Sequence, residues 1–242
     1  MNKDNTFYYW INLDNRQDRR KHMLKEFENC NITNHIRISP VNHYDNQISV
    51  ILSHMKAILT AYIDKADYAV ILEDDIILDN IFILKDITKR LPDDWDIFQF
   101  HTLEPHIYKE LSKDIKYENQ IIKGHLMSCA GYIMNKYSIN KYVKKFIHII
   151  SKKHITFEPR ISDYKNFIAE ACIYVFMNTY YTLYPLFNTI ISESSIKIKN
   201  EDNNTINSKL VNIIHQKHKH IFLINFSNIF DTGLLQIGRA HV

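Results

Sequence analysis

Three adjacent carboxylates, Glu73-Asp74-Asp75, follow directly on the apolar run Tyr68-Ala69-Val70-Ile71-Leu72. Such a cluster beside a core repels itself, and a divalent cation among the acids would remove that cost. The run has no polar alternation, so it reads as a strand buried on both faces. Ligands of α/β sheets bind beyond the carboxyl ends of strands, which is where these acids fall. At this point two readings stand: a cation site, or a solvated turn after a strand.

Other groups with chemical potential lie on either side. Arg16, Arg19 and Arg20 fall in the first turn of a helix expected over 16–29. Positive charge there opposes the helix dipole, so an anion nearby would be favourable; a solvated charged face is the commoner fate. Ser53, His54 and Lys56 sit at the edges of an apolar helical stripe, where a His is more often a structural hydrogen-bonder than a ligand. Glu170 lies on a mostly apolar helix, where partial burial would raise its pKa. A loop before that helix holds His154, Glu158 and Asp163.

The elements that must position these residues alternate along the chain. Residues 7–13 read as a first strand, and Asp14 or Asn15 is placed to cap the next helix with Gln17 or Asp18 answering in a capping box. That helix turns Met23, Leu24 and Phe27 inward. A short strand over 36–41 precedes a helix with Ile48, Ile51, Leu52, Met55, Ile58, Leu59 and Tyr62 at i, i+3, i+4, i+7 spacing. After the acids, Ile76-Ile77-Leu78 continues extended, and a helix over 80–91 is stopped by Pro92. Strands follow at 95–100 and 128–134, then a helix whose inward face runs from Ile139 to Ile150, a helix over 164–176 and a strand over 179–185. Residues 101–120 read as a long polar loop of the kind that carries specificity. Small residues at Ser128-Cys129-Ala130-Gly131 would let a ligand or another backbone approach closely.

This alternation predicts an α/β sandwich with a largely parallel sheet. Residues 199–209 are polar and Asn-rich, and read as a linker or disordered segment. The chain is thus divided into a main domain at 1–198, a linker with C-terminal extension at 199–233, and a tail at 234–242. That tail ends Ile237-Gly238-Arg239-Ala240-His241-Val242, which resembles the in-frame translation of a sequencing adapter and is set aside.

Composition excludes several classes. The 242 residues are 45% hydrophobic and 24% charged, as for a soluble globular protein, and a net charge of +3 with no Arg- or aromatic-rich platform argues against nucleic acid. Cys30, Cys129 and Cys172 are an odd, widely spaced set. Such a set fits neither a disulfide framework nor a zinc site, and implies a reducing, cytoplasmic setting. No signal peptide or membrane span is expected, although peripheral membrane contact is compatible with the sequence. The abundance of Asn, Ile, Lys and Tyr matches AT-rich codons, so part of this bias can be genomic.

Several groups line up in a familiar order. Tyr9-Trp10-Ile11-Asn12-Leu13-Asp14-Asn15-Arg16-Gln17-Asp18-Arg19-Arg20 resembles the opening of glycosyltransferase family 25, which includes lipooligosaccharide and collagen galactosyltransferases. Ser53-His54-Met55-Lys56-Ala57-Ile58 resembles its Ser-His helix, and Ile71-Leu72-Glu73-Asp74-Asp75-Ile76 its acidic metal motif. Weaker markers are Trp95-Asp96-Ile97 and Ala130-Gly131-Tyr132-Ile133, and Ala169-Glu170-Ala171, then Tyr180, Pro185-Leu186-Phe187 and Ser195-Ile196, resemble its C-terminal block. The chain departs from the family at Lys197, where a His is usual, and at Ile51-Leu52, where Gly-Cys often stands.

The resemblance implies a GT-A fold and an inverting, metal-dependent transfer of a hexose, galactose or glucose, from a UDP-sugar. The acceptor would be a hydroxyl on a glycan, a lipid-linked sugar or a protein. Carboxylates suit Mn²⁺ or Mg²⁺. In extended backbone Glu73 and Asp75 point to one side and Asp74 to the other, so Glu73 and Asp75 are assigned to metal and Asp74 to the ribose or donor sugar. Arg16 and Arg19 would address the pyrophosphate, and Asn12 with Leu13 the base or ribose. Ser53, His54 and Lys56 would complete the donor wall. Glu170, with Asp163 as the alternative, would be the general base.

Overall fold

The computed structural model describes residues 5–42, 44, 46–79, 81–101, 121–151, 154–157, 169–174, 176–182 and 186–190. In chain order the strands are β1 (Thr6–Ile11), β2 (His35–Ile38), β3 (Tyr68–Glu73), β4 (Ile76–Ile77), β5 (Ile97–Gln99), β6 (Ile121–Lys123), β7 (Gly131–Asn135), β8 (Ile147–Ser151), β9 (His154–Phe157), β10 (Thr179–Thr182) and β11 (Asn188–Thr189). The helices are α1 (Gln17–Asn29), α2 (Asn46–Ile63), α3 (Leu84–Thr88), α4 (Lys136–Phe146) and α5 (Ala169–Tyr174).

Seven strands form one mixed sheet in the order β2-β1-β3-β7-β5-β10-β6. β1 pairs parallel with β2 and β3, and β10 parallel with β5. β7 runs antiparallel between β3 and β5, and β6 is antiparallel to β10. The carboxyl ends of β1, β3 and β5 therefore share one edge with the start of β7.

Alternate side chains of the central strands feed two cores. Tyr9, Ala69, Ile71, Tyr132 and Met134 pack with Met55 and Ile58 of α2, Tyr142 of α4 and Ile173 of α5. Trp10, Val70, Leu72 and Ile133 pack on the opposite face with Met23 and Phe27 of α1 and with Leu84 and Ile87 of α3. Helices thus cover both faces, which is why β3 carries an unbroken apolar run. This is the expected sandwich with a mainly parallel, mixed sheet.

Several boundaries differ from expectation. Arg16 is the N-cap of α1 and makes no side-chain cap bond. The capping box is absent because Asp18 pairs with Arg16, while Gln17 Nε2 donates to the carbonyl of Asp14. The helix expected over 80–91 shrinks to a 3-10 turn at Ile81–Ile83 and the short α3. Arg90 N–H donates to the Ile87 carbonyl, an i→i−3 closure that ends the helix ahead of Pro92. α4 stops at Phe146, and the β-branched run after it pairs as β8 with β9 in a hairpin where a helix end and a loop were expected. β6 was not anticipated. The expected loop at 102–120, the boundary at 198 and the segments 199–233 and 234–242 lie outside the described residues.

Gly131 matters to this edge because its partner strand comes too close for a side chain. A Cβ there would fall 2.2 Å from the Phe100 ring and 3.0 Å from Ile76. Gly131→Ala is expected to cost about 1–3 kcal/mol by overpacking, read as a lower urea midpoint.

Candidate active site at the strand ends

The acid cluster sits where β3 gives way to a turn. Glu73 is the last residue of the strand, in register with Ile11 of β1, and Asp74 and Asp75 form the turn. Strand alternation sends Glu73 toward α2 and Asp74 toward α1. Asp75 does not return to the Glu73 side as extended backbone would require. It turns with Asp74 toward α1, and both carboxylates meet Arg19 Nη1, at 2.8 Å from Asp74 and 3.1 Å from Asp75.

Arg19 and Asp74 are buried, each side chain 8% exposed. Asp74 also accepts a 2.7 Å hydrogen bond from Asn12 Nδ2. Asn12 is consumed elsewhere as well. It donates to the Arg16 carbonyl, and its Oδ1 accepts from Arg37 Nε at 2.9 Å. Asp74 is thus held by the protein's own Arg19 and Asn12, Arg19 is its buried counter-ion, and Asn12 braces the end of β1, so all three carry intramolecular bonds at the positions assigned from sequence to ribose, pyrophosphate and base.

Asp75 is in a different state. Its Oδ1 is buried with no hydrogen-bond partner. Burial first, then the charge of Glu73, push its carboxyl up to about 7 against the pull of Arg19. Glu73 shows the opposite balance. Burial acts to raise its pKa, but His54, His101 and Arg19 outweigh that and hold it below the ordinary carboxylate range. Two acids that share a site in this way titrate as a pair.

On the α2 side, His54 Nε2 lies 3.4 Å from Glu73 Oε1 and its Nδ1 lies 3.2 Å from the Tyr132 hydroxyl. His54 is buried and stacks on the Tyr132 ring, so it orients Glu73 from within the core. Ser53 turns away. Its hydroxyl accepts from the Val41 amide and donates to the Ser49 carbonyl, a packing role in place of the donor contact expected. Lys56 Nζ donates to the Ser39 carbonyl at 2.8 Å, beyond the end of β2 and likewise committed to the fold. Arg16 is paired with Asp18, yet its charge is still felt at Asp74 and Asp75, so it stays beside the cluster. Leu13 is half-buried next to it, and its carbonyl accepts the Arg16 N–H.

Glu170, in the first turn of α5, is brought to the same place. Burial raises its pKa most, the Glu73 charge raises it further, and His54 and the backbone N–H of Ser128 lower it. The charges of Glu73 and His54 thus act on Glu170, although the three come from β3, α2 and α5. Asp163 lies outside the described residues.

From sequence, His101 is a candidate only as the further ligand of a two-metal site, and Ser128 has no assigned role. His101, just past β5, is buried and its Nδ1 lies 2.8 Å from Ser128 Oγ. Ser128 precedes β7 and has a positive φ of 138°. The run of small residues before β7 was the signal for Ser128. The signal for His101 was its place at the end of an expected strand, where a further metal ligand could stand.

No family model matches this chain, and no curated protein matches it. Among solved structures, A197 from STIV aligns over 77% of this chain and 86% of its own at 10% identity, with a TM-score of 0.43. Likeness at that level carries no argument about activity.

The arrangement has a definite chemical capacity. One carboxylate oxygen is buried and unsatisfied, a second acid whose charge acts on that group is held below the ordinary carboxylate range, and a third acid with a raised pKa feels the charge of the second. Among the described residues no three His, Cys, Asp or Glu side chains converge as a protein-only metal cage would. Among the described residues no helix is long and apolar enough to cross a membrane.

Proposed function

We propose that this protein is an inverting, divalent-metal-dependent glycosyltransferase of the family 25 type, with a GT-A-like fold. It would move a hexose, galactose or glucose, from a UDP-sugar to a hydroxyl of a glycan, lipid-linked sugar or protein. The observation that carries this reading is the unsatisfied, buried Asp75 Oδ1 beside Glu73, with Glu170 electrostatically coupled across the same edge. The ordered sequence motifs add to it.

Glu73 and Asp75 would hold Mn²⁺ or Mg²⁺. When bound, the ion supplies neutralising charge for the diphosphate. Arg16 adds positive charge beside the acids. Arg19 and Asn12 would fix the turn by holding Asp74, and Arg19 would hold one oxygen of Asp75 and leave the other without a protein partner. His54 keeps Glu73 ionised and aimed. Glu170 takes the proton of the acceptor hydroxyl as its oxygen bonds to the anomeric carbon. The bond from that carbon to UDP breaks, UDP leaves with the electron pair, and the configuration inverts. A carboxylate whose pKa is raised by burial is a stronger base once it is ionised.

A two-metal phosphohydrolase is not favoured. Of the further ligands it would need, Asp96 and His101, His101 lies at this edge and bonds Ser128, whereas Asp96 precedes β5 at the opposite edge of the sheet. There it bonds Ser138, Lys141 and the Asn178 amide.

The test is UDP release from a panel of UDP-sugars with Mn²⁺ and mixed acceptors. Glu170→Gln is expected to lower kcat by about 10²–10⁴-fold while donor binding persists. Metal-dependent UDP binding without turnover on any acceptor would instead make the chain an inactive nucleotide-sugar module. No UDP binding at all would refute both.

A further inference from the structure

The backbone that follows the acid cluster is held along both of its edges, and the two edges alternate. The Ile190 N–H donates to the Asp75 carbonyl at 2.7 Å, so Asp75 and Ile190 face each other as a hydrogen-bonded pair. β11 continues antiparallel to β4 in that register, with Thr189 opposite Ile76 and Asn188 opposite Ile77. In an antiparallel ladder such pairs alternate with pairs that exchange no hydrogen bonds. Ile76, and Leu78 in the same phase, therefore turn their main-chain groups away from β11. Among the described residues no strand pairs with that second edge.

The side chains of α1 meet it instead. His22 Nε2 lies 2.8 Å from the Ile76 carbonyl oxygen, which can only accept, so this nitrogen carries the proton. Glu26 Oε2 accepts the Leu78 N–H at 2.8 Å, and Cys30 Sγ reaches the Leu78 carbonyl at 3.5 Å. Just upstream, Arg19 Nη1 takes the carboxylates of Asp74 and Asp75. Arg19, His22, Glu26 and the C-cap Cys30 are spaced by three, four and four residues, so they form one stripe beside the buried Met23 and Phe27. This polar stripe stands in for a missing strand along residues 74–78.

We propose that His22 and Glu26 are positioning residues that fix the main chain behind Asp75, and that this stripe of α1 sets where the unpartnered Asp75 oxygen points. Arg19 anchors the other oxygen of Asp75 at 3.1 Å. Ile190 anchors the carbonyl of the same residue, and His22 the carbonyl of the next. A carboxylate tethered at its tip and along its backbone is pre-organised for a ligand. The proposal rests on reading Asp75 as a metal ligand.

His22→Leu removes the donor and keeps a good helix former. His22→Gln retains an N–H for the Ile76 carbonyl. Two readouts on these variants and wild type test the proposal. The first needs no metal: the side-chain carboxyl ¹³C resonance of Asp75 at one fixed pH. It is expected to move in His22→Leu and to return toward the wild-type position in His22→Gln. An unmoved resonance in His22→Leu would overturn the proposal. The second is Mn²⁺ binding in the presence of UDP, followed by loss of the free-ion EPR signal well below each melting temperature. The Mn²⁺ dissociation constant is expected to rise about 10-fold in His22→Leu and to recover in His22→Gln. A His22→Leu protein that melts earlier yet binds Mn²⁺ as wild type does has lost a structural contact alone, which would also overturn it. Glu26→Met removes the acceptor for the Leu78 N–H; it is expected to act as His22→Leu does, and decides the matter where His22→Leu does not fold. If wild type binds no Mn²⁺ with UDP, the metal reading fails, and the carboxyl resonance alone decides whether α1 positions Asp75.

Discussion

Asp75→Asn should lower metal-dependent UDP release by about 10²–10³-fold and at the same time stabilise the protein above neutral pH. The two effects share one cause. Asp75 is buried beside Glu73, its Oδ1 has no partner, and its carboxyl is pushed up to about 7 from an ordinary value of 3.8. Between about pH 4 and pH 7 the folded protein keeps a proton that the unfolded chain has lost. Stability therefore falls as pH rises through that window. An Asn does not titrate, so this part of the decline should vanish in the variant. Urea midpoints at pH 5 and pH 8, for both proteins in chelator, measure it. An equal decline in wild type and variant would show that Asp75 carries no such charge penalty.

Arg19→Met is expected to destabilise the fold by about 3–5 kcal/mol, the cost of leaving a buried charge without its partner. Arg19 Nη1 serves two carboxylates, and the Asp74 side chain is 8% exposed, so water cannot replace the guanidinium. The sequence reading leads to a different result. A solvent-facing pyrophosphate ligand could be removed with little change in stability and a weaker donor affinity. Denaturation curves separate the two. Adding Asp74→Asn to Arg19→Met should recover part of the loss, because the orphaned charge is then gone.

That contrast shows where sequence reasoning reached and where it stopped. The burial of β3 was legible because an apolar run without alternation has few other fates. The amphipathic stripe of α2 was legible for the same reason. Glu73 and Glu170 could be proposed because acids at strand ends and on apolar helices are locally unusual. The direction of Asp75 was not legible, since alternation holds only while the strand lasts and the strand ends at Glu73. Nor was the burial of Arg19, which depends on how α1 lies across the end of β3. Arg19 and Asp74 are 55 positions apart in the chain. The demotion of Ser53 and Lys56 has the same origin, because their partners Val41 and Ser39 follow β2. Ser128 shows the limit most clearly. Its surroundings come from β5, α5 and the stretch before β7, and only the small residues around it hinted that something must fit closely there.

The departures at Ile51 and Leu52 also acquire a physical place. Ile51 is fully buried in the α2 core, where it fills space against the sheet.

The central claim is that Glu73 and Asp75 hold a divalent ion together with a nucleoside diphosphate. Its most direct measurement is the thermal shift produced by UDP, with Mn²⁺ and with chelator, in wild type and in Asp75→Asn. The account predicts that UDP raises the melting temperature of wild type only when Mn²⁺ is present, and leaves Asp75→Asn unmoved in either case. A UDP shift in wild type that is the same in chelator, or one that survives intact in Asp75→Asn, would contradict it.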